Sequence, residues 1–397
     1  MPQSKSGHEQ DMETRRGDSA RNVRIGIMPL VDAAPIIVAD RLGFFAEQGL
    51  EVALSRERAW ASVRDKLAAG LLDAAQLLAP MPLATTLGLD AIKVPLVSAM
   101  VLNRNGNALT VSAALHKRLQ EYKAGEPSAD TGAAAATTNK NEALAWADAL
   151  RQVLSADRAA GRPPLTLAHV FPFSSHAYQL RYWLAAADIH PDHDINLVVV
   201  PPPLMVEQLA TGRIDGFCVG APWGDVSMER EQGVAIVQSS EIWPNSPEKV
   251  LGVTQRWAER HPRTHAMLIV ALLHATRWLG DRANLGNAAR LLAADGVLDV
   301  SEATLHNGLA RMRFDGAQCQ RLWPSEVMWL GTQMQRWGQA SADVDLATVA
   351  ERLCCTSIYA AAAQQCGLAV TAQPARVEGP WFDGVVYDAR QHTRAPA

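Results

Sequence analysis

LTLAHVFPFSSHAYQLRYWLAAADIHPDHDINLVVVPPPLMVEQLATGRIDGFCVGAPW, residues 165–223, decides the architecture. Its apolar runs Thr166–Val170, Ile195–Val200 and Ile214–Val219 are rich in β-branched residues and bounded by Pro and Gly, the pattern of buried strands. Helices are expected between them, at about Ser175–Ala187 and Leu204–Thr211. This alternation predicts a βαβαβ unit with a parallel sheet. The polar loops FSSH (173–176) and GAPW (220–223) each follow the carboxyl end of a strand, where open α/β sheets receive ligands.

Toward the N-terminus the pattern repeats. Arg24–Leu30 reads as a strand and Ala34–Gln48 as a helix stopped by Gly49. A strand at Leu50–Leu54, a helix from Trp60 to Ala69 and a strand at Pro95–Val101 follow. Ala124–Lys140 is Ala-, Thr- and Gly-rich and reads as a surface excursion. Beyond Trp223, apolar positions at three- and four-residue spacing predict helices at Pro262–Arg282, Ala288–Ala294 and Trp323–Trp337.

Two α/β units joined by strand-like crossovers near Val101–Thr110 and Phe217–Pro222 predict an α/β, two-lobed, periplasmic-binding-protein-like fold. It is of the type II, Venus-flytrap kind, with extra C-terminal helices, and such folds close on a ligand by hinge motion. The expected organisation is a disordered leader (1–22), the first part of lobe one (23–107) and lobe two (108–220, carrying the excursion 124–140). The helical second part of lobe one (221–380) and a surface tail (381–397) complete it.

Composition narrows the class. The chain is 48% hydrophobic and 20% charged, ordinary for a globular protein, and its formal charge of −4 argues against a general nucleic-acid footprint. Five cysteines without CxxC spacing point to free thiols. The N-terminal stretch MPQSKSGHEQDMETRRGDSARNVR lacks the apolar run of an export signal, and no uninterrupted apolar span suits a membrane. A cytoplasmic location is the expectation. No metal is expected, because His190 and His193 lack ligand spacing and Cys354-Cys355 has no partners nearby. No cofactor is expected either: GxGxxG, P-loop and GxSxG motifs are missing, and no enzymatic activity is implied.

The segments DAAPIIVADRLGFFAEQGLEV, AWASVRDKLAAG, APMP, LNRNGNAL, FPFSSHAYQLRYWLAAADIHP, DGFCVGAPW and SPEKVLGV occur in one order between about Arg24 and Pro380. As a set they resemble the nitrate- and bicarbonate-binding proteins of cyanobacterial ABC transporters. Without an export signal, the chain resembles a cytoplasmic branch, the NasS-type nitrate/nitrite sensors. The resemblance implies nitrate or nitrite as ligand and, as partner, an antitermination regulator with an ANTAR-type RNA-binding domain. That partner would be held until the anion binds, with no direct contact between this chain and nucleic acid.

By resemblance the site comprises Trp60, Asn107, His176, Gly220 and Lys249. Asn107 stands where the family has a longer amide, and Phe173-Ser174 replace glycines before His176. In the bicarbonate branch the Lys249 position resembles an acid instead. The chemistry agrees: nitrate is planar and weakly basic, so its site needs converging donors. Trp60 offers an indole N–H, Lys249 a positive charge, His176 a ring N–H and Gly220 a backbone N–H free of a Cβ. The hydroxyls of Ser174 and Ser175, ahead of a helix, could complete the ring. An alternative reading is the solute-binding component of a nitrate, nitrite, cyanate or bicarbonate ABC transporter. The thiamine-precursor synthases share the fold, but their cysteine-rich motif is missing.

Overall fold

The structure is a computed structural model and describes residues 21–123, 138–296, 298–314, 316–371, 373 and 376–391. The expected leader (up to residue 20) and most of the 124–140 excursion lie outside the described residues.

The chain runs β1 (Asn22–Ile27), α1 (Ala34–Arg41), β2 (Glu51–Arg56), α2 (Trp60–Ala68), β3 (Ala74–Leu78), α3 (Met81–Leu87) and β4 (Leu96–Arg104). It continues with β5 (Asn107–Ser112), α4 (Ala113–Lys123), α5 (Thr138–Ala159), β6 (Thr166–His169), α6 (Ser175–Ala185), β7 (Asn196–Val199), α7 (Met205–Ala210) and β8 (Gly216–Gly220). Next come α8 (Trp223–Glu229), β9 (Gly233–Gln238), β10 (Pro247–Thr254) and the C-terminal helices α9 (Pro262–Gly280), α10 (Leu285–Ala293), α11 (Glu302–Ala310), α12 (Pro324–Arg336), α13 (Leu346–Cys354) and α14 (Thr356–Gln365). A two-stranded ribbon, β11 (Val377–Glu378) and β12 (Tyr387–Asp388), closes the described chain.

Two five-stranded sheets share one plan, with orders β2-β1-β3-β10-β4 and β7-β6-β8-β5-β9. In the first, β1 pairs parallel with β2 and β3, and β10 runs antiparallel to β3 and β4. In the second, β6 pairs parallel with β7 and β8, while β5 is antiparallel to β8 and β9. The βαβαβ reading of residues 165–223 is the parallel half of this second sheet. Like positions after the parallel strands of each sheet therefore face a common gap, where such sheets hold ligands.

The chain crosses between the sheets twice. The first crossing, from β4 to β5, uses Asn105 and Gly106, both in the left-handed region (φ 58° and 99°). The second does not lie at Phe217–Pro222 as expected. β8 stays in the second sheet, GVAIVQ adds β9 beside β5, and the return is made by residues 239–246. That strand was missed because no period-2 alternation marks it out from its neighbours. The two crossings are tied together by the Asn105 N–H, which donates to the Ser246 carbonyl at 3.1 Å.

Two further expectations are revised. The helix foreseen at Ala34–Gln48 breaks at Gly43, whose φ of 79° ends α1 before a short turn at Phe44–Glu47. The tail does more than wrap the surface: Trp381, Phe382 and Tyr387 are buried, and Trp381 lies 5.2 Å from Trp329 and 5.8 Å from Tyr182. On the far face of the first sheet, α9 packs against α1 and α14 with its apolar stripe buried, Pro262 opening it at a position with no intrahelical N–H to lose. No helix among the described residues is long and apolar enough to cross a membrane.

Candidate binding site between the sheets

The residues singled out above converge from both sheets. Lys249 is on β10 and Trp60 opens α2, both on the first sheet; Asn107 begins β5, Gly220 ends β8, and Ser175 and His176 open α6, all on the second. Asn107 and Gly220 are register partners in the β5–β8 ladder. Ser174 stands apart. Its Oγ accepts from the Ala177 N–H (3.0 Å) and donates to the Phe171 carbonyl (2.6 Å), so it caps α6 and is fully engaged there.

Three residues that sequence reasoning missed complete the cluster: Asp32, Gln76 and Glu248. Lys249 Nζ lies 2.7 Å from Asp32 Oδ2 and 2.6 Å from Glu248 Oε1, all three side chains being fully buried. Lys249 is therefore not the spare neutralising charge expected; its ammonium is already shared by two carboxylates. Glu248 Oε2 accepts from Asn107 Nδ2 and from Ser175 Oγ, each at 2.5 Å. Asp32 Oδ1 accepts from Gln76 Nε2 at 2.5 Å, and Gln76 Oε1 is in turn held by the Met28 N–H at 2.8 Å. That second bond fixes which end of the amide faces Asp32.

Consecutive strand residues normally face opposite sides of a sheet. Glu248 and Lys249 share one side chain environment because the β10–β4 register shifts between Pro247 and Lys249 and again before Val250. A bulge of this kind re-aims a side chain, and alternation alone could not reveal it. The other two left signals. Asp32 follows the carboxyl end of β1, the position at which the rule for α/β sheets looks for ligand contacts, and Gln76 is the lone polar residue of the otherwise apolar, buried strand AAQLL.

Several polar atoms remain uncommitted. Trp60 Nε1 and both ring nitrogens of His176 are buried without a hydrogen-bond partner; His176 Nε2 approaches Glu248 Oε1 only to 3.4 Å. The Trp60 ring lies 5.5 Å from the Lys249 ammonium, so its face is spent on that cation while its N–H stays free. Gly220 leaves room at the centre: a Cβ there would fall 3.0 Å from Asp32 Oδ2 and 3.3 Å from Asn107 Oδ1.

The electrostatics follow from burial. Desolvation pushes the His176 imidazolium down to about 3, leaving the ring neutral. Desolvation raises the Asp32 carboxyl above its ordinary range, against the pull of Lys249. Glu248 is also pushed up by burial, but Lys249 and its hydrogen bonds outweigh this and hold it below the ordinary value. Burial works against the Lys249 charge too, and its two carboxylates more than offset it, holding its pKa above normal. With both carboxylates ionised the cluster carries one negative charge in excess. Among the described residues no group of three His, Cys, Asp or Glu is placed to hold a metal ion.

The NMT1-like family model matches residues 16–293, most of the two sheets. The chain belongs to the NMT1-like family. It is 36% identical over 391 residues to the bicarbonate transport ATP-binding protein CmpC of Synechocystis, covering 94% of this chain and 54% of that protein. It thus spans about half the length of that relative. The nitrate/nitrite binding protein NrtA of Nostoc is 29% identical, with 92% of this chain and 82% of NrtA aligned. The crystal structure of the periplasmic nitrate-binding protein NrtA from Synechocystis superposes with a TM-score of 0.81 over 94% of this chain and 97% of that one, at 23% identity. The two-lobed binding-protein fold is thereby shown.

Proposed function

We propose that this chain binds a small planar oxyanion, of the nitrate, nitrite or bicarbonate kind, and serves a nitrate- or bicarbonate-type ABC import system as its ligand-responding part. One observation carries the reading: a fully buried Asp32–Lys249–Glu248 cluster lies between the sheets beside the uncommitted donors Trp60 Nε1 and His176. Protein interiors rarely leave such donors unmatched, and a ligand oxygen would satisfy them. Relatives named for nitrate/nitrite and for bicarbonate support the ligand class. Bicarbonate additionally carries a hydroxyl that can donate to the Glu248 carboxylate, whereas nitrate offers acceptors only.

A finer reading gives the same site a regulatory output in the cytoplasm. Identity is higher to a transport ATP-binding protein (36%) than to a binding protein (29%), and ATP is hydrolysed on the cytoplasmic side of a membrane, which favours sensing there. The sensor that holds an ANTAR-type antitermination regulator and releases it on anion binding is one form of such an output, supported by the sequence resemblance.

Calorimetric titration with nitrate, nitrite and bicarbonate tests the site. Trp60→Phe keeps a six-membered aromatic ring in the pocket and removes the N–H together with the rest of the pyrrole ring. It is expected to weaken the bound anion by roughly ten- to hundredfold, with a modest fall in the thermal melt from the space left in the buried position. Undiminished affinity in that variant would remove Trp60 from the site.

A further inference from the structure

Resting on the oxyanion reading, we propose that Asp32 takes up one proton from solvent as the anion enters, so that binding is proton-coupled. The argument is a count of charge in a closed space. Asp32, Glu248 and Lys249 are fully buried and leave one negative charge unbalanced when both carboxylates are ionised. A monoanion would double that excess where no water can screen it, and a buried unpaired charge changes its protonation state sooner than persist.

Geometry selects the carboxylate. Glu248 accepts from Lys249, Asn107 and Ser175, three donors that hold it ionised. Asp32 has Gln76 on Oδ1 and only the Lys249 ammonium on Oδ2. A proton arriving on Oδ2 forms one O–H bond and breaks only the Asp32–Lys249 ion pair. It frees the ammonium to turn toward the anion and turns Asp32 from an acceptor into a donor. Oδ2 also faces the space beside Gly220, which has no side chain to fill it. The direction in which burial moves the Asp32 carboxyl is the one required.

The surroundings supply no other candidate. From β10 Asp32 faces Lys249 and Glu248. On α6, His176 is held neutral by burial, and on β8 the Cys218 thiol is pushed far up by burial and stays protonated. Of the elements packed on the Asp32 turn, α11 carries Glu302 and His306 on its exposed side, α1 carries Asp40 and Arg41 in its last turn, and the β4 arginine, Arg104, is paired with Glu326.

The test is calorimetry of the full chain with nitrate, nitrite and bicarbonate between pH 6 and 9, in buffers of differing ionisation heat, for wild type and Asp32→Asn. The expected result is uptake of about one proton per anion above neutral pH, with affinity falling about tenfold per pH unit there. In Asp32→Asn, which mimics the protonated acid, the proton uptake disappears and the pH slope flattens relative to wild type; taking the two proteins with the same anion cancels the anion's own ionisation. Anion binding without proton exchange in wild type overturns this proposal and leaves the binding site standing, as does proton uptake that persists in Asp32→Asn. Failure of every anion to bind wild type overturns the oxyanion reading itself. Because the buffer measurement needs wild type alone, a poorly folding Asp32→Asn does not spoil the test.

Discussion

At the scale of single residues, the site is defined as much by what Gly220 lacks as by what its neighbours offer. A methyl group at that position would meet Asp32 Oδ2 at 3.0 Å and Asn107 Oδ1 at 3.3 Å, with His176 Nε2 at 3.9 Å. Gly220→Ala should therefore lower anion affinity roughly tenfold or more, since the methyl crowds two buried oxygens of the site itself and forces them to shift. Titration of the variant checks it; unchanged affinity would mean that the anion lies elsewhere. Trp60, Asn107, His176, Gly220 and Lys249 were all legible from motif order, and the structure brings them together. Asp32, Gln76 and Glu248 were not, because each is an ordinary residue type whose importance comes from the side on which it emerges. Ser174 was legible only as a polar residue before a helix, and its two hydrogen bonds place it in the cap.

At the scale of elements, what the sequence made plain was the alternation of apolar runs and helices, and it located the parallel half of each sheet. It did not reveal β9 or the β11–β12 ribbon, whose short segments gain their order from a neighbour already in place: β5 for the former, the Tyr182–Trp329–Trp381 aromatic group for the ribbon. The Cys354-Cys355 pair marks a helix end: Cys354 is buried in α13 and Cys355 turns the chain at φ 44°. Helix α9 carries a consequence of its own. His265 is buried there with neither nitrogen partnered, and desolvation depresses its imidazolium to about 4. The unfolded chain binds that proton near pH 6.5, so the contribution to stability is complete above that value and is lost as pH falls toward 4. At pH 5 the loss from this one group is about 2 kcal/mol. Urea unfolding at pH 7.5 and pH 5 should show it, and His265→Leu should reduce the difference between the two; an equal difference in the variant would assign the acid sensitivity to other groups.

At the scale of the molecule, the candidate site is sealed, so an anion enters only if the sheets part. Across the gap, α8 beside the second sheet meets α11: Arg311, just past α11, makes a two-pronged ion pair with Asp225, and Thr304 bonds Glu229. These contacts favour the closed arrangement without touching the cluster. The double variant Asp225→Asn/Arg311→Met should shift the balance toward opening by about 1 kcal/mol, weakening anion binding several-fold. Stopped-flow dissociation is the measurement: a faster off-rate with an unaltered pH profile is expected, and an unchanged off-rate would deny these helices any part in closure.

The division of labour between the walls has one more consequence. Asp32, Glu248 and Lys249 all belong to the first sheet, and Asn107, Ser175, His176 and Gly220 to the second. When the walls separate, the ions leave together with Trp60 and the donors of the second sheet stay behind, so opening splits no ion pair within the cluster. It does bring the whole charged trio into contact with the electrolyte. Dissolved salt can then stabilise the parted form but has no access to the joined one, which makes the resting posture of this protein a function of ionic strength even before any ligand is present.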